Sequence, residues 1–417
     1  FFFDIIAYGL IDAPKLKEHI DKYGVALYHA GWRDCRLGDY VLINFNNIDK
    51  NYPHGEIEYL DTGSITQGKI EALQHFQLSD APSRAKRIVK DSDIVLSMVR
   101  PIQRHYGFLR NVPPNMVAST GFVVLTCKVE IDPYFLYSFL TQEDTTEHLD
   151  MIAEGSTSTY PAFTPDVVEN LSINLPPLPE QRAIAAVLSS LDDKIDLLHR
   201  QNKTLEGMAA ALWRKMFVEE ASSAWKTGKL RDYGDFKNGI NYSRNEKGDT
   251  EYSILNVRDI VESKYLTGND FEKISVNESK ASPYLLQTND IVIVRSASPG
   301  ESLIVLGEID NLLYSGFSIR LRCHNKQHAL FVFQFLQSYK KEMDIFSDGT
   351  TLKNINQGIL NGIDLVVPES SVLLEFNAKA WDIYNKIMLN QRQVHNLTHL
   401  RDALLPKLMS GEVKVKA

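Results

Sequence analysis

The chain has 417 residues, 44% hydrophobic and 24% charged, a globular composition that excludes a largely disordered polymer and allows two or three domains. Its 45 Lys and Arg against 53 Asp and Glu leave a net charge of −8, which excludes a histone-like polycation but permits local basic patches. Cys35, Cys127 and Cys323 lie too far apart in sequence for a disulfide framework or a CxxC metal pair to be read from them, which fits a reducing cytoplasm.

The opening Phe1-Phe-Phe-Asp-Ile-Ile6 is apolar but too short to span a bilayer, and it lacks the basic lead-in of a signal peptide. With no initiator Met, a truncated or re-engineered start is expected. Residues 1–30 carry one short helical segment, near 14–23, and stand outside a duplication that organises the rest. Trp32 opens W-R-D-C-R-L-G-D-Y, and Trp225 opens W-K-T-G-K-L-R-D-Y, at an offset of 193. Glu58-Tyr59 and Glu251-Tyr252 keep that offset. Asp93-Ile94-Val95 matches Asp290-Ile291-Val292 at 197, and Gly121-Phe122 matches Gly316-Phe317 at 195. Gly155-Ser156-Thr157 resembles Gly349-Thr350-Thr351, and Ile173-Asn174-Leu175 resembles Ile363-Asp364-Leu365. A tandem unit of roughly 190 residues is too long for a solenoid repeat and reads as a whole domain plus an appendage.

In the first copy, strand-like runs at 93–99 and 122–127 are bounded by Gly, Pro and Asn, and a helical stretch follows at 133–149. After Leu175-Pro-Pro-Leu-Pro179 the pattern becomes a heptad seam: Ile184, Leu188, Leu191, Ile195, Leu198, Asn202, Leu205, Ala209, Leu212 and Met216. The second copy has strand-like runs at 290–294 and 302–306, a helical stretch at 328–346, and its own seam. That seam runs Phe376, Ala380, Ile383, Ile387, Asn390, Val394, Leu397, Arg401, Leu404 and Leu408, each 192 residues after its counterpart. The expected fold is α+β: two tandem duplicated globules of mixed α/β structure, joined by two long helices that pack on each other, in the antiparallel coiled coil that the family resemblance given below implies. Asn202 and Asn390 interrupt the seams, as polar residues that fix register do. Each seam spans roughly 50 Å of helix.

Catalytic motifs are sparse. Gly63-Ser-Ile-Thr-Gln-Gly68-Lys69 matches seven positions of a phosphate-binding loop, but Ile70 stands where Ser or Thr would hold Mg²⁺, so a strand-turn-strand is expected. The Pro-Pro pairs, Val112-Pro-Pro-Asn115 and Leu175-Pro-Pro-Leu178, do not fit the Asn/Asp-Pro-Pro-aromatic tetrapeptide of an amino-methyltransferase. His324/His328 and His395/His399 have helical i,i+4 spacing without a metalloprotease Glu, and they read as surface histidines rather than metal ligands. What remains is binding. Lys69 to Arg110 holds eight basic residues against four acidic, and Lys226 to Lys247 holds six against three. Such islands can neutralise phosphates.

At this point the chain resembles the specificity subunit of Type I restriction-modification enzymes. The likeness rests on the duplication, on Leu175-Pro-Pro-Leu-Pro-Glu-Gln181 opening a long helix, on the closing Leu400-Arg-Asp-Ala-Leu-Leu-Pro-Lys-Leu-Met-Ser-Gly411, and on the paired seams. Glu58-Tyr-Leu-Asp-Thr-Gly-Ser-Ile65 and Gly155-Ser-Thr-Ser-Thr159 add to it. The resemblance implies an extension at 1–30, a first target recognition domain at 31–177, a central helix at 178–220, a second recognition domain at 221–368, and a C-terminal helix and tail at 369–417. It also implies a non-catalytic cytoplasmic subunit that reads a bipartite asymmetric target in double-stranded DNA. Two methyltransferase subunits would dock on the paired helices, and restriction/translocase subunits would join for cleavage. The chain would hold no cofactor or metal of its own; S-adenosylmethionine would belong to the methyltransferase, and ATP and Mg²⁺ to the restriction subunit. The second helix departs from the pattern: Val367-Pro-Glu-Ser-Ser-Val372 lacks the Glu-Gln pair.

The DNA-contacting candidates in the first globule are Lys69, Arg84, Lys86, Arg87, Arg100, Arg104, Thr157, Ser158 and Thr159. In the second they are Lys237, Asn241, Tyr242, Arg244, Arg295, Ser296, Thr350, Thr351 and Lys353. Arg and Lys read guanine edges or hold phosphate, Asn reads adenine, and hydroxyls serve either role. Two other readings stay open: a duplicated protein-binding scaffold without DNA specificity, and a nucleotide hydrolase around Gly63 to Lys69.

Overall fold

The computed structural model describes residues 31–156, 160–243, 248–266, 271–307, 309–346 and 354–415. The chain divides into two compact units, one of Phe1–Asp193 with Thr398–Ala417 and the other of Lys194–Leu397.

Unit 1 holds β1 (Arg33–Arg36), β2 (Val41–Ile43), β3 (Glu56–Leu60), β4 (Ile65–Thr66), β5 (Lys69–Ile70), β6 (Gln74–Gln77), β7 (Ala85–Ile88), β8 (Ile94–Ser97), β9 (Tyr106–Phe108), β10 (Met116–Ser119), β11 (Phe122–Cys127) and β12 (Ser172–Leu175). One sheet has the order β2-β11-β8-β9, the other β6-β3-β10-β7, with β10 parallel to β3. The Ile-Val-Leu-Ser run of β8 is buried on both faces, which explains its unbroken hydrophobic text. Helices α1 (Pro133–Leu140), α2 (Glu143–Glu154) and α3 (Pro165–Glu169) follow. The single stretch expected at 133–149 is thus two helices. The Thr141 hydroxyl takes the Tyr137 carbonyl at 2.9 Å, and Gln142 is extended, so the chain restarts at Glu143.

The long helix α4 (Leu178–Arg214) begins in unit 1. Gln181 is buried there. Its amide donates to the Pro176 carbonyl at 2.8 Å, and its oxygen accepts from the Asp132 N–H at 2.8 Å. Glu180 accepts from the Trp32 indole at 3.1 Å. The Pro-Glu-Gln motif is therefore a clasp that ties helix α4 to the start of the unit. Ile184 and Leu188 share one core with Leu404 and Leu408.

Unit 2 holds β13 (Lys226–Lys229), β14 (Gly234–Asn238), β15 (Thr250–Leu255), α5 (Val257–Glu262), β16 (Glu272–Val276), α6 (Glu278–Ala281), β17 (Ile291–Val294), β18 (Ser302–Ile304), β19 (Leu312–Tyr314), β20 (Ser318–Cys323), α7 (Ala329–Phe346), α8 (Gln357–Gly362) and β21 (Asp364–Val367). Its sheets have the orders β14-β20-β17-β18 and β16-β15-β19, with β15 parallel to β19, and β13 pairs with β21 as β1 pairs with β12. These repeat the strand orders of unit 1, less a counterpart of β7, and the described residues of unit 2 hold no match for the β4-β5 strand pair. Helix α9 (Ser370–Met409) runs through unit 2 before ending in unit 1. Within unit 2, Asn390 meets Asn202 at 2.9 Å and the Phe376 and Phe217 rings lie 5.2 Å apart, so these helical segments run in opposite senses.

Strand register corrects one match made on sequence. Ile94 pairs with Leu125, and Ile291 pairs with Leu321. With Asp93-Ile94 aligned on Asp290-Ile291, the counterpart of Phe122 is Ser318, not Phe317. A slip of one residue reverses the face of a strand. Phe122 is fully buried, whereas Phe317 is 66% exposed.

Candidate nucleic-acid interface

In unit 1 the Gly63 to Lys69 segment is a β-hairpin, β4 to β5, whose turn residues Gln67 and Gly68 both have positive φ (48° and 80°). That is the geometry of a two-residue hairpin turn, and no helix follows to complete a phosphate-binding loop. The hairpin docks through the Gln67 N–H on the Arg104 carbonyl at 2.8 Å, which brings exposed Lys69 near the Arg104 backbone. Arg100 and Arg104 flank a short turn, Pro101–Gln103, and both are left-handed, at φ 48° and 57°. Arg100 lies over the Tyr160 ring at 5.6 Å. Arg104 is ion-paired with Glu143.

A second basic group follows β7. Arg84 and Lys86 are exposed, while Arg87 is half-buried and donates to the Asn47 oxygen at 2.8 Å. Burial lowers the Arg87 pKa from its ordinary value. Arg87 and Arg104 thus have internal partners, while Lys69, Arg84 and Lys86 project from the surface. Thr157, Ser158 and Thr159 lie outside the described residues, as do Arg244, Thr350, Thr351 and Lys353.

In unit 2 two of the candidates, Asn241 and Arg295, meet at one turn, Ser315 to Ser318, between β19 and β20. Its backbone is fixed on several sides. The Ser318 N–H donates to the Ser315 carbonyl at 2.9 Å, and the Gly316 N–H to the Ile240 carbonyl at 2.8 Å. The Arg295 N–H reaches the Phe317 carbonyl at 2.9 Å, and the Arg295 guanidinium reaches the Gly316 carbonyl at 3.0 Å. Arg295 is therefore a brace for this turn, with half-buried Ser296 beside it in sequence. Asn241 is packed so closely that a Cβ on Gly316 would fall 2.2 Å from its side-chain oxygen. Half-buried Tyr242 follows it, and the Lys237 ammonium sits over the Tyr284 ring at 4.8 Å. A cleft of about 490 Å³ opens here, lined by Asn241, Tyr242, Asn256, Arg258, Glu272 and Phe317 among others. The sequence did not point to the last four. Phe317 matches buried Phe122 in the sequence repeat, and Asn256, Arg258 and Glu272 carry no motif.

Both units anchor the strand that leads toward these turns with a buried aspartate. Asp93 accepts from the Lys90 N–H at 2.9 Å and the Thr126 hydroxyl at 2.6 Å. Asp290 accepts from the Gln287 N–H at 2.8 Å and from the Arg322 guanidinium at 2.7 and 2.6 Å. The backbone role repeats, and only the side-chain partner differs. His395 is half-buried and His399 exposed, and among the described residues no group of three or more His, Cys, Asp or Glu could hold a metal ion.

Residues 30–207 match the family described as Type I restriction modification DNA specificity domain. The HindI specificity subunit of Haemophilus influenzae is 25% identical over 92% of this chain and 99% of its own length. The MjaIX specificity subunit of Methanocaldococcus jannaschii is 25% identical over 79% of each chain. Among solved structures, the Type I S subunit of M. genitalium shares the fold, with a TM-score of 0.55 and 17% identity over 91% of this chain and 96% of that one. Every seam position from Ile184 to Met216 and from Phe376 to Leu408 is buried or half-buried. Among the described residues no helix is long and apolar enough to cross a membrane.

Proposed function

We propose that this chain is the non-catalytic DNA sequence-specificity subunit of a Type I restriction-modification complex in the cytoplasm. Residues 31–177 and 221–368 act as tandem target recognition domains, each reading one half of a bipartite, asymmetric sequence. Residues 178–220 and 369–417 form an antiparallel coiled coil that separates the domains and docks two methyltransferase subunits. A separator of roughly 50 Å corresponds to about 15 base steps. Restriction/translocase subunits complete the cleaving assembly. Methyl transfer uses S-adenosylmethionine held by the methyltransferase, and translocation uses ATP and Mg²⁺ held by the restriction subunit.

The observation that carries this reading is the repeated strand order in two units whose exposed turns differ. One scaffold presented twice with unlike turns is what two unlike half-sites require. The DNA-facing residues proposed are Lys69, Arg84, Lys86 and Arg100 in the first domain, and Lys237, Asn241 and Tyr242 in the second, with Arg87, Arg104 and Arg295 shaping the surfaces that carry them. Thr157, Ser158, Thr159, Arg244, Ser296, Thr350, Thr351 and Lys353 remain candidates from the sequence.

The test is a salt titration of duplex binding by the chain copurified with its methyltransferase, on a methylated-target sequence and on random DNA. Stronger binding to the target, falling steeply with salt for both, is expected. Salt-insensitive assembly with no duplex preference would favour the duplicated protein scaffold instead.

A further inference from the structure

We propose that the cleft beside the Ser315 to Ser318 turn takes a single amino-bearing nucleobase, adenine or cytosine, stacked on Phe317. This rests on the DNA-reading role and deepens it to one position of one half-site. Phe317 is 66% exposed, yet its backbone is locked by the Arg295 and Ile240 contacts that hold the turn. An exposed aromatic ring on a rigid turn is already ordered for stacking, so little entropy is lost when a flat partner covers it.

The cleft chemistry narrows the partner. At about 490 Å³ it is in the range of small-ligand sites. Asn241 lines the cleft with its side-chain amide lying close against Gly316. Across the cleft the Asn256 amide donates to one Glu272 oxygen at 2.9 Å. A carboxylate engaged by one donor keeps further acceptor capacity. A Glu in this place repels a phosphate but accepts from an exocyclic amine, while an Asn amide both donates and accepts along an adenine edge. The Arg258 guanidinium in the same lining suits the phosphate beside a base, and the aromatic face, the paired carboxylate and the Asn241 amide suit the base itself. In unit 1 the residue at the Phe317 position is Gly121, so the device belongs to the second half-site alone.

The experiment measures methylation rates of the full chain with its methyltransferase on duplexes randomised through both half-sites. Phe317→Ala, Phe317→Trp and Glu272→Gln are compared with the unaltered chain. Loss of a stacked base is expected to slow Phe317→Ala about ten- to a hundredfold on cognate DNA. It should also erase the preference for adenine or cytosine at one position of one half-site. Phe317→Trp is expected to retain both rate and preference. Glu272→Gln is expected to relax the same position and leave the other half-site unchanged.

The base site is overturned if Phe317→Ala and Glu272→Gln keep the parental preference everywhere, or if the loss is equal for all sequences, as for a backbone contact. It is also overturned if Phe317→Ala fails to copurify with the methyltransferase, because the face would then be a protein contact. If the unaltered chain directs methylation to no sequence at all, the DNA-reading role fails and the base site with it.

Discussion

The Asn390 amide donates to the Asn202 oxygen at 2.9 Å in the interior of unit 2, and the Asn390 oxygen is itself buried without a hydrogen-bond partner. Two polar residues thus face each other between apolar seam neighbours. Removing Asn202 leaves the buried Asn390 amide only a long contact to Gln201 at 3.4 Å, and removing Asn390 leaves the buried Asn202 oxygen without its donor, at a cost of about 1–3 kcal/mol, while replacing both by apolar groups removes the penalty. Asn202→Ala is therefore expected to lower stability by about 2 kcal/mol in urea unfolding. Asn202→Leu combined with Asn390→Leu is expected to equal or exceed the original stability. The pair then selects register at the expense of stability.

Asp192 holds two elements of unit 1 together. It accepts from the Arg401 guanidinium at 2.9 Å and from the Tyr134 hydroxyl at 2.5 Å. The site is about one-third exposed, so solvent screens the ion pair. Asp192→Ala should cost about 2 kcal/mol by losing both bonds, and Tyr134→Phe about 1 kcal/mol by losing one. Thermal unfolding of the two variants checks the ranking. Equal losses would show that Arg401 contributes nothing.

Asp93 and Asp290 hold the same backbone position with different side-chain partners. Burial pushes the Asp93 carboxyl above its ordinary value, against the hydrogen bonds from Thr126 and Lys90 that lower it. A carboxyl raised on folding binds its proton more tightly in the native state. Its contribution to stability falls as pH rises from the unfolded value toward the folded one. Asp93→Asn removes that fall. The stability of the variant relative to the original should therefore improve as pH rises through that window and level off above it. Asp290→Asn leaves Arg322 without its carboxylate, and is expected to destabilise the chain by about 3 kcal/mol at neutral pH. Urea unfolding across a pH series reads both.

Burial pushes the Cys127 and Cys323 thiols up to about 12, so neither carries appreciable thiolate near neutrality. Cys35 is half-exposed, against the Tyr40 hydroxyl at 3.3 Å. A thiol-disulfide reagent at mildly alkaline pH is expected to modify Cys35 first, with the other two reacting only on unfolding. Fast reaction of two or three thiols in the native chain would contradict this packing.

Much of the fold was legible because the sequence repeats its own landmarks. The runs expected at 93–99 and 290–294 became Ile94–Ser97 and Ile291–Val294, and Phe122–Cys127 kept its bounds. Both seams lie in long helices. The break at Thr141 was hidden because a hydroxyl capping a carbonyl leaves no trace in hydrophobic periodicity. The site was less legible for two reasons. A basic residue in sequence does not reveal whether it faces solvent, and Arg87, Arg104 and Arg295 each have an internal partner. The Gly316-Phe317 dipeptide matched Gly121-Phe122 in letters but not in register, which concealed the exposed ring. Pairing partners, not residue identity, decide that face.

In the proposed role, each half of the chain reads one half of a split DNA sequence. The most direct measurement maps modified bases in a host carrying this subunit with its methyltransferase, before and after residues 32–175 are replaced by the matching segment of another family member. One half of the methylated sequence is expected to change while the other half stays the same. A target left unchanged by the replacement, or altered in both halves, would contradict it.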